Sequence, residues 1–182
     1  MFLIILLVVF ITTKSISGMV SAFFVLLFSI MAAMGIAGWM GVELTGPSAS
    51  APTMIMTLAI ADSIHILVTM IQLIRAGRSK AEAIVESIRV NFMPVFITSV
   101  TTVVGFLSLN FAEGDPFHDL GNITAIGVSA AFFFSVFLLP ALMAILPLRI
   151  KQKNAEDQRM KILDGLANFV IGNRNAVLIG SI

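Results

Sequence analysis

The chain has 182 residues, 58% of them hydrophobic and only 12% charged, with a formal net charge of +1 and a mean hydropathy of +1.04. A soluble domain carries about 25% charged residues, so the composition excludes an ordinary soluble fold and predicts an all-α, polytopic transmembrane helix bundle. There is no cysteine, and the two histidines lie far apart. A disulfide framework and a thiolate metal site are thereby excluded, and neither a metal centre nor a cofactor is expected. No polar segment is long enough to form a separate catalytic or nucleic-acid-binding domain.

The first hydrophobic run, residues 1–12, opens directly on Phe2-Leu3-Ile4 with no basic leader, which argues against a signal peptide. It falls short of the ~20 residues of a full span and reads as a partial one. Further spans are expected at 19–41, 52–74, 93–112 and 121–147, and another starts near residue 176. Both ends read as cut, so the chain is expected to be a fragment of a longer membrane protein.

The connectors alternate sharply in charge. Lys14 follows the first run, whereas the 42–51 loop has Glu43 and no cation. Connector 75–92 carries Arg75, Arg78, Lys80 and Arg89, and the 112–120 loop carries Glu113, Asp115 and Asp119. The remaining cations, Arg149, Lys151, Lys153, Arg159, Lys161 and Arg174, fall in 148–175. With these spans, all the Lys and Arg residues lie on one side, which the positive-inside rule assigns to the cytoplasm. Connectors 13–18, 75–92 and 148–175 are therefore expected to be cytoplasmic, and the 52–74 helix to run from outside to inside.

Within 75–92, Gly77 is a plausible helix stop, and Ser79 followed by Glu82 is a capping-box pattern. Ala81, Ile84, Val85 and Ile88 recur at helical spacing. A short amphipathic helix is expected over 79–91 on the cytoplasmic surface, either a plain connector or a coupling element, with Pro94 near the first turn of the next span. Stretch 148–175 reads as a cytoplasmic linker with a second amphipathic helix around Leu163, Leu166, Ala167 and Val170, leading into a truncated span at 176–182.

The chemistry is concentrated in Thr57-Leu58-Ala59-Ile60-Ala61-Asp62-Ser63-Ile64-His65. Asp62 lies near the middle of its span, where an ionisable group costs about 3 kcal/mol or more and needs a partner or a role. His65, Thr69 and Gln72 follow it at steps of three, four and three, one polar stripe on one helix face. The next span offers Thr98, Thr101, Thr102, Gly105 and Ser108, suited to close packing and cross-helix hydrogen bonds. A carboxylate flanked by an imidazole and hydroxyls suits reversible protonation, so Asp62, His65, Thr98, Thr101 and Thr102 are the candidate proton relay. The plainer alternatives are a neutral Asp62 with one structural hydrogen bond, and a histidine and threonines that only pack. His118 and Asp119, beside Pro116 and Gly121, read as a solvated turn; Phe132-Phe133-Phe134 reads as lipid-facing or packing; Pro140 is expected to kink the last span. An intramembrane hydrolase is not expected: Ser63 and His65 point to different faces, and no second acid lies at membrane depth.

Three segments together carry a resemblance: Leu58-Ala59-Ile60-Ala61-Asp62-Ser63-Ile64-His65-Ile66-Leu67, the run Asn91 to Phe106 with its Thr98-Ser99-Val100-Thr101-Thr102-Val103-Val104-Gly105-Phe106 pattern, and Leu120-Gly121-Asn122. They resemble the resistance-nodulation-division (RND) superfamily, in its MMPL and sterol-sensing-domain-like branch. The resemblance implies helices two to six of the first half of a transporter plus the start of the seventh, with the first helix, the extracytoplasmic domains and the second half lying elsewhere. It implies a Gly-x-x-x-Asp motif on the fourth helix tied to proton translocation. Asp62 matches the second acidic position of that motif, Ala61 stands at the first, and Thr57 replaces the glycine. The usual acidic or tyrosine partner is missing, which leaves His65 as the local candidate.

The expected function is the membrane portion of a proton-driven exporter of lipids, hydrophobic compounds or drugs in a bacterial inner membrane. Its partners would be protons, membrane lipids, the second half of the same transporter and a hydrophobic substrate held by the other domains, with no nucleic acid. A sterol-sensing-like lipid-binding or regulatory domain, and an accessory component of protein export, are the alternatives. Substrate and oligomeric state, a homo-oligomer included, stay open.

Overall fold

The computed structural model describes residues 2–42 and 44–147. The linker expected over 148–175, the span start at 176–182 and Glu43 lie outside the described residues. The described chain is helical throughout: α1 (Phe2–Thr13), α2 (Ile16–Trp39), α3 (Ala51–Arg75), α4 (Lys80–Leu107), α5 (Asp115–Phe133) and α6 (Leu139–Ile145). A 3-10 turn at Ser48–Ser50 leads into α3, another at Ser108–Phe111 ends α4, and a π-helical turn at Phe134–Leu138 joins α5 to α6. Four continuous helical stretches are long and apolar enough to cross a membrane: Ile16–Trp39, Ser48–Arg75, Lys80–Phe111 and Pro116–Ile145.

Local chemistry sets the boundaries. Ser15 caps α2 by accepting from the Gly18 amide at 3.3 Å. At the end of α3, Gly77 has φ +89, and its amide and that of Arg78 turn back to the carbonyls of Ile74 and Leu73. This is the glycine-terminated cap its position predicted. Ser79 and Glu82 form the predicted capping box at the start of α4.

Three expectations change. The surface helix over 79–91 and the span over 93–112 run into one another as α4, with Pro94 in the helix interior and not in a first turn. Pro94 has no N–H for the carbonyl four residues earlier, but side chains brace the flanking turns: Asn91 Nδ2 donates to the Ser87 carbonyl (2.8 Å) and Thr98 Oγ1 to the Pro94 carbonyl (3.0 Å). The aliphatic positions of the 79–91 segment are not the ones that the fold buries. Ala83, Ser87, Asn91, Val95 and Ser99 are buried, while Ala81 and Val85 are exposed and Ile84 and Ile88 half-buried. In lipid there is no gain in hiding aliphatic groups, so small and polar residues take the interface. Finally, His118 and Asp119 lie inside α5 and not in a turn, because Pro116 sits at its first positions and the helix starts at Asp115.

The core joins α2, α3, α5 and α6 through Val25, Leu26, Ala59, Leu67, Ala131, Leu139 and Met143. A second cluster links Ala33, Ala37, Ala51, Ile55 and Ile123. Most of the large outward-facing side chains are apolar, as a lipid-facing surface requires, and Trp39 and Phe111 stand 89% and 92% exposed at helix ends on the same side of the charge pattern, the usual place of interfacial aromatics. The Phe132–Phe134 run divides its roles: Phe132 packs at a tilt against Phe92 and Phe96, Phe134 meets Phe28, and Phe133 faces outward. Pro140 follows the π-helical turn, so the irregularity expected at the proline falls just before it.

Candidate functional site

α3 carries the ionisable pair, and its packing separates the two members. Asp62 is buried (8% exposed) and Ser63 fully so, whereas His65 is exposed. From Ala51, eleven residues at 1.5 Å rise put Asp62 roughly 17 Å along a 25-residue helix, near its middle. Its carboxylate accepts one side-chain hydrogen bond, from Ser99 Oγ on α4, at a long 3.4 Å. Asp62 and His65 share a cavity of about 160 Å3 with Thr98, Ser99 and Thr102 of α4, and Pro94, Val95 and Val128 complete its apolar wall. Among the described residues, the imidazole of His65 makes no hydrogen bond.

The structure therefore brings together Asp62, His65, Thr98 and Thr102. Thr101 points away: it is exposed and donates to the carbonyls of Ile97 and Thr98. Thr98 and Thr102 also spend their protons on their own helix, on Pro94, Val95 and Thr98 carbonyls, and so offer the cavity only oxygen lone pairs. Ser99 is a site residue that sequence pattern alone does not single out. Its signal was its place in the i, i+4 series Ala83, Ser87, Asn91, Val95, Ser99, all buried.

The polar stripe below Asp62 continues as an α3–α4 seam. Ser87 Oγ donates to the Ile66 carbonyl at 2.6 Å, and Asn91 Nδ2 donates to Thr69 Oγ1 at 2.9 Å; Gln72 is exposed. On the other side, Ser63 gives its proton to the Ala59 carbonyl (2.8 Å), so its 3.4 Å contact with Ser135 must be donated by Ser135 from the π-helical turn. α3 thus meets serines of two neighbours near its middle, one at the carboxylate and one beside it, both at a long 3.4 Å. Such turns concentrate at functional positions.

A multi-pass helical bundle with a buried carboxylate beside a cavity defines an integral membrane protein with an ionisable intramembrane site. The model of the MMPL family matches residues 1–164. The chain belongs to the MMPL family, as the motifs on α3, α4 and α5 indicated. It is 28% identical over 101 residues to the hopanoid transporter HpnN of Rhodopseudomonas palustris, covering 56% of this chain and 11% of that protein. It is 32% identical over 111 residues to the membrane protein MJ1562 of Methanocaldococcus jannaschii, covering 61% of this chain and 29% of that one. The matched region thus spans less than a third of the length of either relative.

Proposed function

We propose that the chain is the membrane portion of a proton-motive-force-driven exporter of lipids or other hydrophobic compounds in a bacterial inner membrane, with Asp62 as its coupling group. The carrying observation is Asp62 itself: a carboxylate at the middle of a membrane helix, 8% exposed, with one long hydroxyl contact. It opens on a cavity that also reaches the exposed His65. A neutral, protonated Asp62 fits the apolar cavity wall; an ionised one draws Ser99 and water toward it. Protonation therefore biases two packings of α3 against α4, and the exposed His65 hands protons to and from the cavity. Thr98 and Thr102 supply acceptor oxygens along the way. The name of the hopanoid transporter HpnN supports a lipid-like substrate, which domains outside this bundle would hold.

The reading is tested on the intact protein by Asp62→Asn, with membrane levels matched to wild type. Gradient-driven export is expected to fall to background. Export retained by the variant would make Asp62 a structural residue and end the coupling reading.

A second reading, a lipid-binding regulatory domain, is favoured by one feature: an apolar crevice of about 490 Å3 between α2, α4 and α5, lined by Ile36, Val103, Leu107, Ile126 and Phe133. Stoichiometric lipid binding that does not change with the proton gradient or with Asp62→Asn would support it over export.

A further inference from the structure

Many helix hydroxyls in this bundle turn back on their own helix, and others bond to a neighbouring one. Ser29, Thr57, Ser63, Thr69, Thr98, Thr101, Thr102 and Ser129 each donate to a carbonyl three or four residues back. Thr124 of α5 does not. It is 0% exposed, and its Oγ1 has no hydrogen-bond partner among the described residues. A hydroxyl stripped of water and left unpaired is costly, and such a group in a native interior calls for a reason.

Its position supplies one. Thr124 and Val128 are four residues apart and share a face of α5, and Val128 lines the Asp62 cavity. One turn the other way is Gly121, where a Cβ would collide with the Phe106 carbonyl and crowd Leu109. α4 and α5 therefore meet there with backbone nearly in contact. Beside it, Asn122 of α5 and Asn110 at the end of α4 exchange two amide hydrogen bonds at 3.0 and 3.1 Å. From the side that the charge pattern assigns to the exterior, the order along α5 is the tight approach at Gly121 with the amide pair beside it, then the buried Thr124 hydroxyl, then Val128 at the carboxylate cavity. From Gly121 to Val128 the path is roughly 10 Å of helix.

We propose that Thr124 is a gate residue on the exterior approach to Asp62, dry and unpartnered in this closed arrangement and hydrated in the second arrangement of the bundle. Opening the α4–α5 seam at Gly121 lets water reach the Thr124 hydroxyl, which then bridges the outer aqueous side to the cavity. The unmet hydroxyl raises the energy of the closed arrangement and keeps the open one within reach. Asp62 and His65 are the titratable side chains facing the cavity from α3, and α4 presents none there; His118 and Asp119 of α5 lie at its outer end. The inference rests on the coupling reading, and its test separates the two.

The test uses three variants of the intact protein. Thr124→Val keeps the shape and removes the hydroxyl. It is expected to lower gradient-driven export at least tenfold while leaving the thermal midpoint unchanged or raised, and Thr124→Ser is expected to restore export. Export within twofold of wild type in Thr124→Val would overturn the gate. Thr124→Cys adds a thiol to a chain that has none. A membrane-impermeant thiol reagent applied from outside should label it under an imposed proton gradient and not without one. Labelling that ignores the gradient, or is absent in both conditions, counts against the gate even where export is impaired for other reasons. If Asp62→Asn abolishes export but these results fail, only the gate is lost. If Asp62→Asn exports normally, the coupling reading is lost first.

Discussion

Asp62 and Ser99 meet at the weak end of hydrogen-bond geometry, at the residue proposed to couple protons to transport. A carboxylate held by several short bonds would be locked in one protonation state; one held by a single 3.4 Å contact beside a cavity is free to change it. Ser99→Ala removes the one side-chain donor to Asp62. A well-formed hydrogen bond to a charged group contributes about 1.5–3 kcal/mol; this 3.4 Å contact contributes less, so export under a fixed gradient is expected to fall severalfold with the protein still folded. Unchanged export would show that the contact has no part in coupling. Thr101→Val serves as the internal control. Thr101 lies off the cavity and bonds only to its own backbone, so export should stay within twofold of wild type and stability within about 0.5 kcal/mol. A collapse of export in this variant would place the relay on the outer face of α4.

Among the elements, α4 shows how sequence periodicity misleads in a membrane. Its aliphatic spacing over Ala81–Ile88 marked a surface amphipathic helix, whereas the residues that the fold buries are Ala83, Ser87, Asn91, Val95 and Ser99. Water makes aliphatic groups the interior; lipid leaves that choice to packing and hydrogen bonds. The same choice hid Ser99, since a serine between threonines carries no distinctive mark until one knows which stripe is inside. Asp62 and His65 were legible for the opposite reason: an ionisable group in a long apolar run is conspicuous on its own. The capping box at Ser79 and the stop at Gly77 were legible because both are local, needing only a few residues and a positive φ. The continuation of α4 through Pro94 and the π-helical turn before Pro140 were not, because each depends on bonds made across or along the folded helix. Ser87 tests the buried face directly. Its 2.6 Å bond to the Ile66 carbonyl joins α4 to α3, so Ser87→Ala should cost about 1 kcal/mol. For a domain of this size that is about 2–4 °C in thermal midpoint in detergent. No shift would mean that the buried serine stripe is filler and not glue.

At the scale of the whole molecule, the ends of the bundle are tied and the middle is not. On the cytoplasmic side assigned by the charge pattern, Lys80 Nζ donates to the carbonyls of Ala144 and Leu146, and Ser17 Oγ to that of Pro147. These bonds hold the end of α6 to the starts of α4 and α2, with a cation at a helix C-terminus as the dipole favours. At the opposite end the Asn110–Asn122 pair closes α4 on α5. Between the two lie the cavity, the loose Asp62–Ser99 and Ser63–Ser135 contacts, and the π-helical turn. A bundle fixed at its ends and weakly bonded at mid-membrane is suited to changing its interior with the protonation of one residue.

The most direct test of that account is proton movement itself. The intact protein would be reconstituted in vesicles with a lipid-like substrate, and internal pH followed as substrate moves, for wild type and Asp62→Asn. The account predicts proton flux that accompanies substrate in wild type and vanishes with substrate movement in the variant. Substrate movement at the same rate without a gradient, or proton flux that persists in Asp62→Asn, would contradict it.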